Sequence, residues 1–148
     1  IANKFYKKPF SEFIRINKTK VSEHSKDLIN KFDIRPKDGE ILTKNLSGGN
    51  AQKVIVAREL DMGGKLLIAA QPTRGVDIGS IEEIRRYLDE AKKNNTAILL
   101  VSADLGEILA LSDRIAVMYE GKITGIINSS EATEENLGIL MVGGKLNE

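Results

Sequence analysis

Apolar residues occur along the chain in two patterns, helical spacing in some stretches and short unbroken runs in others. Four of them recur at intervals of three and four residues, which predicts an amphipathic helix: Ile81, Ile84, Leu88 and Ala91. Residues 65–70 and 96–101 are short apolar runs with the length of a buried strand. A helix between two such runs predicts an α/β fold with a parallel sheet.

A small polar residue and two glycines mark the start of the clearest helix. Ser47, Gly48 and Gly49 precede residues 51–60, and this order predicts a helix whose N-cap is Ser47. The glycine pair at residues 63–64 is typical of a helix C-terminus. The helix should therefore fill the space between the two glycine pairs.

Turn-forming residues separate the remaining elements. Residues 33–39 and 71–75 each contain a proline and a glycine, which favours loops. The Glu120-Gly121 pair lies between apolar runs at residues 115–119 and 122–127. That arrangement predicts a β-hairpin.

The two ends of the chain and the stretch after residue 101 carry weaker helix signals. Residues 11–31 are polar with scattered apolar positions such as Phe13, which indicates a helix without strand alternation. Asp104 followed by Glu107 resembles a capping box at the start of a short helix. Residues 133–141 are expected to form a last short helix.

Composition and charge limit the classes of function. The chain has 148 residues, 41% of them hydrophobic, which is enough for one globular domain with a real core. Its 22 basic and 21 acidic residues leave a net charge of +1, so no electrostatic argument favours a nucleic-acid partner. Cysteine is absent, which excludes disulfides and thiolate chemistry.

The first residue is Ile1 instead of Met, and we therefore expect the chain to be an internal piece of a longer protein.

Residues 46–53, with the sequence LSGGNAQK, carry the most informative chemistry. Two glycines before a helix let a ligand approach the backbone closely. The exposed amide groups and the helix dipole then favour an anion, and Ser47 adds a hydroxyl group at the same place. Taken alone, the stretch is more simply a capped helix.

Three further motifs follow this stretch in a fixed order. They are QPTRGVD at residues 71–77, SADLGEI at residues 102–108 and LSDRI at residues 111–115. Their order and spacing closely resemble the second half of an ATP-binding-cassette (ABC) ATPase domain, from about residue 41 to residue 127. The PTRGVDIG sequence is similar to importers of sugars and nucleosides, and in particular to their second cassette.

The resemblance implies a fold and a division of the chain. The fold class would be α/β: a partial ABC ATPase domain with a parallel-sheet core that lacks the phosphate-loop part. Residues 1–45 would form the helical (signature) subdomain. Residues 46–148 would form the C-terminal part of the ATPase core, with the signature helix, a degenerate Walker B strand, the D-loop, the switch region and a closing hairpin and helix.

The resemblance also assigns contacts to residues of the signature and the D-loop. In this family the LSGGQ-type signature of one cassette faces the ATP held by another. The residues expected to contact ATP in trans are Ser47, Gly48, Gly49, Asn50 and Gln52, with Asn50 in place of the usual Gln. Asp77 matches the D-loop at the same dimer interface, and it is equally a candidate N-cap for the helix after it.

Three positions depart from the family in a chemically consistent way. Ala70 and Gln71 stand where the family has the Asp that supports Mg²⁺ and the Glu that polarises the attacking water. Ala103 stands where the family has its switch histidine. An alternative is that residues 66–70 are an ordinary core strand that never had a carboxylate. Both interpretations predict no hydrolysis at this domain's own phosphate site.

The phosphate loop that ATP binding requires is also missing from the sequence. That loop ends in Gly-Lys-Ser/Thr, whereas Leu follows the lysine in both Gly-Gly-Lys stretches, at residues 63–65 and 143–145. We therefore expect this chain alone to be inactive, with no catalytic residue and no metal site of its own. His24, the single histidine, is expected to be a solvated surface residue.

The resemblance further implies the setting in which the chain works. ATP and Mg²⁺ would serve the intact assembly, and neither is expected on this chain alone. The partners would be another cassette, expected in the same polypeptide, membrane permease subunits and, indirectly, a substrate-binding protein, with no nucleic acid. The parent protein would be an ATPase coupled to transport at the cytoplasmic face of the cell membrane.

Two other classes of function stay open at this level. One is a non-transport ABC ATPase, against which the TRGVD sequence at residues 73–77 and the lack of basic excess argue. The other is a non-catalytic regulatory or scaffold domain, against which the intact Ser47-Gly48-Gly49 argues. The motifs do not distinguish pentose, hexose and nucleoside cargo, because the cargo does not touch the motor.

Overall fold

The computed structural model describes residues 3–12 and 15–146 of the chain. These residues group into two compact units, Ile1–Leu99 and Leu100–Glu148. Phe13, which the pattern placed in a helix, lies outside the described residues. The predicted division at residue 45 into a helical subdomain and an ATPase core stays a prediction.

The first unit begins with two short strands and a helix. Strand β1 (Ser11–Glu12) pairs antiparallel with β2 (Arg15–Ile16), and helix α1 spans Lys18–Lys31. Asn17 caps α1, since its side-chain oxygen accepts from Lys20 N at 3.1 Å. The prediction of one helix from residue 11 was therefore wrong. The Asn cap, a local signal, starts the helix later than the scattered apolar residues suggested.

Two longer helices follow, and they pack against each other. Helix α2 spans Gly48–Asp61 and α3 spans Ile78–Lys93, as the pattern predicted. Gly63 has a φ of 68°, the left-handed conformation that ends a helix at little cost when no Cβ is present. The predicted helix start at Ser47 and stop at the glycine pair are both confirmed.

Strands β3 (Leu66–Ala70) and β4 (Ala97–Val101) pair in a small parallel sheet. Both strands were expected to be buried, and this was wrong for one face of the sheet. Leu66 and Ile68 are 60% and 63% exposed, whereas Ala69, the residue after Ile68, is buried. Successive side chains point to opposite faces of a sheet, and only one face of this pair is covered by the described residues.

The second unit contains a helix, a hairpin and a closing helix. Its elements are α4 (Leu105–Leu111), β5 (Arg114–Tyr119), β6 (Lys122–Asn128) and α5 (Glu134–Met141). The hairpin turns at Glu120 and Gly121, both with positive φ, as the sequence predicted. Asp104 caps α4 by accepting from Glu107 N at 3.0 Å, which confirms the predicted start. The Asp104 N–H instead donates to Ser102 Oγ, so the reciprocal half of the capping box was wrong.

Helix α5 packs on one face of the hairpin and encloses the core of the second unit. The buried members of that core are Ile115, Val117, Ile127, Leu137 and Leu140. Leu137 lies at its centre with 1% of its surface exposed. Burial of these side chains is what holds α5 on the two strands.

We expect Leu137→Ala to destabilise the second unit by about 2–5 kcal/mol, because it removes buried methyl groups and leaves a cavity. Urea unfolding of the 148-residue chain, followed by circular dichroism, would measure the change. Val142→Ala is the matched control, because Val142 is 72% exposed just beyond the same helix. Equal effects of the two substitutions would contradict the assignment of Leu137 to the core.

Candidate functional site

Ser47 is the N-cap of α2 and lies on the surface of the chain. Its extended backbone, with φ −62° and ψ 158°, turns the side chain back over the first turn of the helix. Ser47 Oγ accepts from Asn50 N at 3.4 Å and from Asn50 Nδ2 at 2.9 Å. The predicted signature loop therefore has a defined hydroxyl group at the positive end of a 14-residue helix.

The side chain of Asn50 connects this loop to an earlier part of the chain. Asn50 Oδ1 accepts from Arg35 N at 2.7 Å, while Nδ2 faces Ser47. The sequence motif predicts Asn50 as an ATP contact in place of the family's Gln and gives no indication of this bridge. No sequence signal relates residues 35 and 50, because the contact depends on tertiary structure.

The backbone around Arg35 is itself fixed by charged groups. Lys53 is buried, and its Nζ donates to Asp33 O at 3.2 Å and pairs with Glu83 of α3. The Arg35 guanidinium binds the Asp33 carboxylate, and this hydrogen bond holds the pKa of Asp33 below its usual value. Segment 33–35 is thus joined to α2 and, through Lys53, to α3.

Gly49 is buried where α2 meets the start of α3. A Cβ placed on Gly49 would lie 2.6 Å from Asp77 Oδ2 and 2.8 Å from Ser80 Cβ, and closer still to Ser80 Oγ. A Cβ on Gly48 would lie 3.3 Å from Gly75 O, which is tight but not forbidden. Gly49 is therefore required by packing, independently of any ligand.

Asp77 caps α3, so the N-cap interpretation of this residue is confirmed. Its Oδ1 accepts from Ser80 N at 3.0 Å and its Oδ2 accepts from Ser80 Oγ at 2.9 Å. These hydrogen bonds from the backbone and the side chain of Ser80 keep the pKa of Asp77 below its usual value. The structure brings Asp77 next to Gly49, while its role at a dimer interface stays a prediction.

The three altered positions occupy a strand end and a helix start. Ala70 is the exposed last residue of β3, and Gln71 follows with a φ of 50° and a carbonyl that accepts from Arg74 N at 3.2 Å. Ala103 is exposed and directly precedes Asp104, the N-cap of α4. Gln52, the last predicted contact residue, lies half-buried in the first turns of α2. Across residues 3–12 and 15–146, no three acidic, His or Cys side chains group as metal ligands would.

His24 lies outside this site, and its prediction as a solvated residue was wrong. Its Nε2 lies 2.9 Å from Asp61 Oδ2, and its ring packs 4.9 Å from that of Phe10. Lys4 Nζ binds the same carboxylate oxygen at 2.8 Å. Partial burial alone would raise the pKa of Asp61, but the hydrogen bonds from Lys4 and His24 outweigh it and lower that pKa. His24 thus helps to hold α1 against the end of α2.

A cavity of about 370 Å³ lies within the first unit, between α1, residues 34–46 and α2. Most of its wall is apolar, with side chains that include Leu28, Ile29, Ile34, Ile41, Val54 and Met62. The described helices include none that is both long and apolar enough to cross a bilayer.

Curated relatives of this chain include import ATP-binding proteins. It is 45% identical over 144 residues to the nucleoside import ATP-binding protein NupA of Lactococcus lactis subsp. cremoris, covering 97% of this chain and 28% of that protein. The guanosine import ATP-binding protein NupO of Bacillus subtilis gives the same values. The ribose import ATP-binding protein RbsA of Lactococcus lactis subsp. cremoris is 45% identical over 120 residues, covering 81% of this chain and 24% of that protein. The chain therefore spans about a quarter of the length of these relatives.

Solved ABC cassettes share the fold. A dimeric bacterial ABC transporter cassette matches with a TM-score of 0.68 at 19% identity, covering 81% of this chain and 52% of that one. A second cassette in its ADP conformation matches with a TM-score of 0.60 at 23% identity, covering 93% of this chain and 50% of that one. No family model matches the chain.

The parallel strands, the capped α2 helix and these likenesses define a partial ABC ATPase cassette, so the predicted fold class is confirmed. The chain belongs to the ABC transporter ATPases, and its curated relatives there are nucleoside and ribose import ATP-binding proteins. The resemblance to the ABC ATPases of sugar and nucleoside importers is therefore confirmed, while the match to their second cassette stays a prediction.

We expect Gly49→Ala to destabilise the first unit by about 1–3 kcal/mol, because the new methyl group overlaps Ser80 Cβ, which cannot move without its helix. Thermal and urea unfolding would measure the loss. Gly138→Ala is the control, because Gly138 lies inside α5 with no atom within 4 Å of the added Cβ. That substitution should be neutral or stabilising by up to about 1 kcal/mol. A Gly49→Ala variant as stable as the wild type would show that α2 and α3 are not closely packed there.

Proposed function

We propose that this chain is the C-terminal part of the second cassette of an import ATPase and that its signature loop completes the ATP site of a partner cassette. The observation that carries the proposal is Ser47, an exposed hydroxyl group at the N-terminus of α2 within the LSGGN sequence. The names of the relatives support an import function for nucleosides or sugars. The cargo class follows those names and not the geometry.

The signature loop would act by charge stabilisation from outside the partner's phosphate site. Phosphoryl transfer depends mainly on positioning and on the stabilisation of charge spread over the γ-phosphate oxygens. The Ser47 hydroxyl group and the backbone amide groups at the start of α2 are donors of the required kind. The exposed Gly48 leaves the backbone at the start of α2 without a side chain, and Asn50 and Gln52 lie in the first turns of the same helix.

The chain's own nucleotide site would not hydrolyse ATP. Ala70 offers no oxygen that could support Mg²⁺, and the amide of Gln71 cannot take up a proton at neutral pH. Ala103 can neither donate a hydrogen bond nor carry charge. These residues do not fit a catalytic Mg²⁺ centre, so no hydrolytic step is assigned to them. The site would hold ATP as a structural ligand between the cassettes.

The resulting motor is asymmetric. Two cassettes, expected in one polypeptide, would close head to tail around two ATP molecules, and only the site completed by Ser47 would hydrolyse its ATP. At the cytoplasmic face of the membrane, closure would drive the membrane permease subunits between inward-facing and outward-facing states. A substrate-binding protein would deliver the cargo to the permease. The apolar cavity between α1, residues 34–46 and α2 supports a protein contact in the first unit.

In the full-length protein, Ser47→Arg should lower steady-state ATPase activity at least about tenfold, because the long side chain occupies the space of the γ-phosphate. Ser47→Asp should do the same although Asp is a good N-cap, since its carboxylate repels the phosphate. Ser130→Arg is the matched control, because Ser130 is exposed and belongs to none of the four motifs. Melting temperatures would confirm that all three variants fold.

Unchanged activity in both Ser47 variants would mean that hydrolysis does not pass through this loop. A regulatory or scaffold role for the domain would then become the better explanation.

The asymmetry makes a separate prediction about stoichiometry. With two radiolabelled ATP molecules trapped per full-length protein, a single turnover should convert about one of them to ADP, because Gln71 and Ala103 cannot support the second reaction. Chromatography of the released nucleotides would give the ratio. Complete conversion of both ATP molecules would rule out a degenerate second site.

A further inference from the structure

We propose that Asn50 is a positioning residue that turns the hydroxyl proton of Ser47 outward, so that Ser47 meets a phosphate oxygen as a hydrogen-bond donor. The proposal rests on the proposed function, because it takes the signature loop to face ATP. It adds to that function a residue outside the Ser-Gly-Gly core of the motif and a defined task for it.

The orientation of the Asn50 amide is fixed by its two neighbours. A backbone N–H can only donate, so the atom 2.7 Å from Arg35 N must be the amide oxygen. The amide NH₂ group consequently faces Ser47 Oγ at 2.9 Å. A flipped amide would place its NH₂ group against the Arg35 N–H and lose that hydrogen bond, so the Arg35 contact selects the orientation with NH₂ towards Ser47.

This orientation leaves Ser47 with one free direction. A hydroxyl group has two lone pairs and one proton. Both lone pairs are engaged from the helix side, one by Asn50 Nδ2 and one by Asn50 N at 3.4 Å. Neither of these donors can accept a proton, so the Ser47 O–H points away from α2. Ser47 is exposed, and that direction is therefore open to a ligand.

The anchor for Asn50 is held from two sides. The Asp33 carbonyl accepts from the buried Lys53 ammonium, and the Asp33 carboxylate binds the Arg35 guanidinium. Residues 33–35, and with them the Arg35 N–H group, are therefore held in place without any nucleotide. A donor that is oriented in advance needs no reorganisation when charge develops on the phosphate.

The proposal predicts that a hydrogen-bond acceptor in place of the Asn50 NH₂ group reverses the direction of the Ser47 O–H bond. Asn50→Asp keeps an oxygen for Arg35 N but replaces the donor with a carboxylate oxygen. The Ser47 proton would then turn inward to that carboxylate, and a lone pair would face the phosphate. The change is nearly isosteric, so it tests orientation with little effect on packing.

The test is a double-mutant cycle on the ATPase activity of the full-length protein, with Asn50→Asp, Ser47→Ala and the double variant. We expect Asn50→Asp to lower kcat about tenfold or more when Ser47 is present. In the Ser47→Ala background, the fold-decrease in kcat caused by Asn50→Asp should be at least about threefold smaller, because no hydroxyl group is left to reorient. The added charge acts in both backgrounds and cancels from the comparison.

A second variant guards against a folding defect. Asn50→Leu removes the donor without adding charge, and its effect on kcat should likewise shrink when Ser47 is Ala. Asn50→Gln keeps an amide and should lose less activity than Asn50→Asp. Melting temperatures within a few degrees of the wild type would show that the variants fold.

Equal effects of the Asn50 substitutions in the two backgrounds would overturn the proposal, since Asn50 would then act without the hydroxyl group. That result is distinct from a failure of the proposed function. If Ser47→Arg and Ser47→Ala both leave activity unchanged, the loop does not face ATP and both proposals fall. If Ser47→Arg abolishes activity while the cycle is additive, only the role of Asn50 is wrong.

Discussion

The close approach of Gly49 to the first turn of α3 sets the geometry of the first unit. Because Gly49 has no side chain, Ser80 and Asp77 can sit directly against the start of α2. The ion pair between the buried Lys53 and the half-buried Glu83 crosses the same helix pair further along. Such a pair contributes little net stability, but its buried ammonium tolerates only a narrow geometry. Together the two contacts fix where α2 begins, and hence where the Ser47 hydroxyl group lies.

This packing changes which residues of the signature are informative about function. From sequence, two glycines before a helix argue for a ligand that approaches the backbone. The structure gives Gly49 a steric reason of its own, so a domain without nucleotide contact would need it too. Ser47 is more informative about function than Gly49, since Ser47 Oγ accepts hydrogen bonds from Asn50 while its own proton stays available as a donor. Asn50 is informative for the same reason, as its amide serves Ser47 on one side and the backbone on the other.

Features that depend on near neighbours in sequence could be predicted, and those that depend on distant contacts could not. The caps at Ser47 and Asp104 and the turn at Glu120-Gly121 each rely on residues within three positions. The exposure of Leu66 and Ile68 depends on what covers the sheet, which an apolar run cannot reveal.

The same distinction applies to polar side chains. His24 pairs with Asp61 across 37 positions, and Asn50 binds the backbone of Arg35 across 15. Neither pair has a spacing that a helix or strand would produce. Motif order nevertheless identified the ABC ATPase class, because that order reflects the chemistry of a shared site and does not depend on these contacts.

Asp77 shows how one residue can satisfy a local and a distant requirement together. Both of its carboxylate oxygens accept hydrogen bonds from Ser80, which orient the side chain at the start of α3. An ionised carboxylate has about four lone-pair positions, and the hydrogen bonds from Ser80 occupy one on each oxygen. The backbone and side-chain hydrogen bonds from Ser80 lower the pKa of Asp77, so its carboxylate stays ionised further into the acid range than an ordinary Asp. The cap therefore holds the Asp77 carboxylate in a fixed orientation, and both this carboxylate and the Ser47 hydroxyl group are anchored to the helix pair that Gly49 brings together.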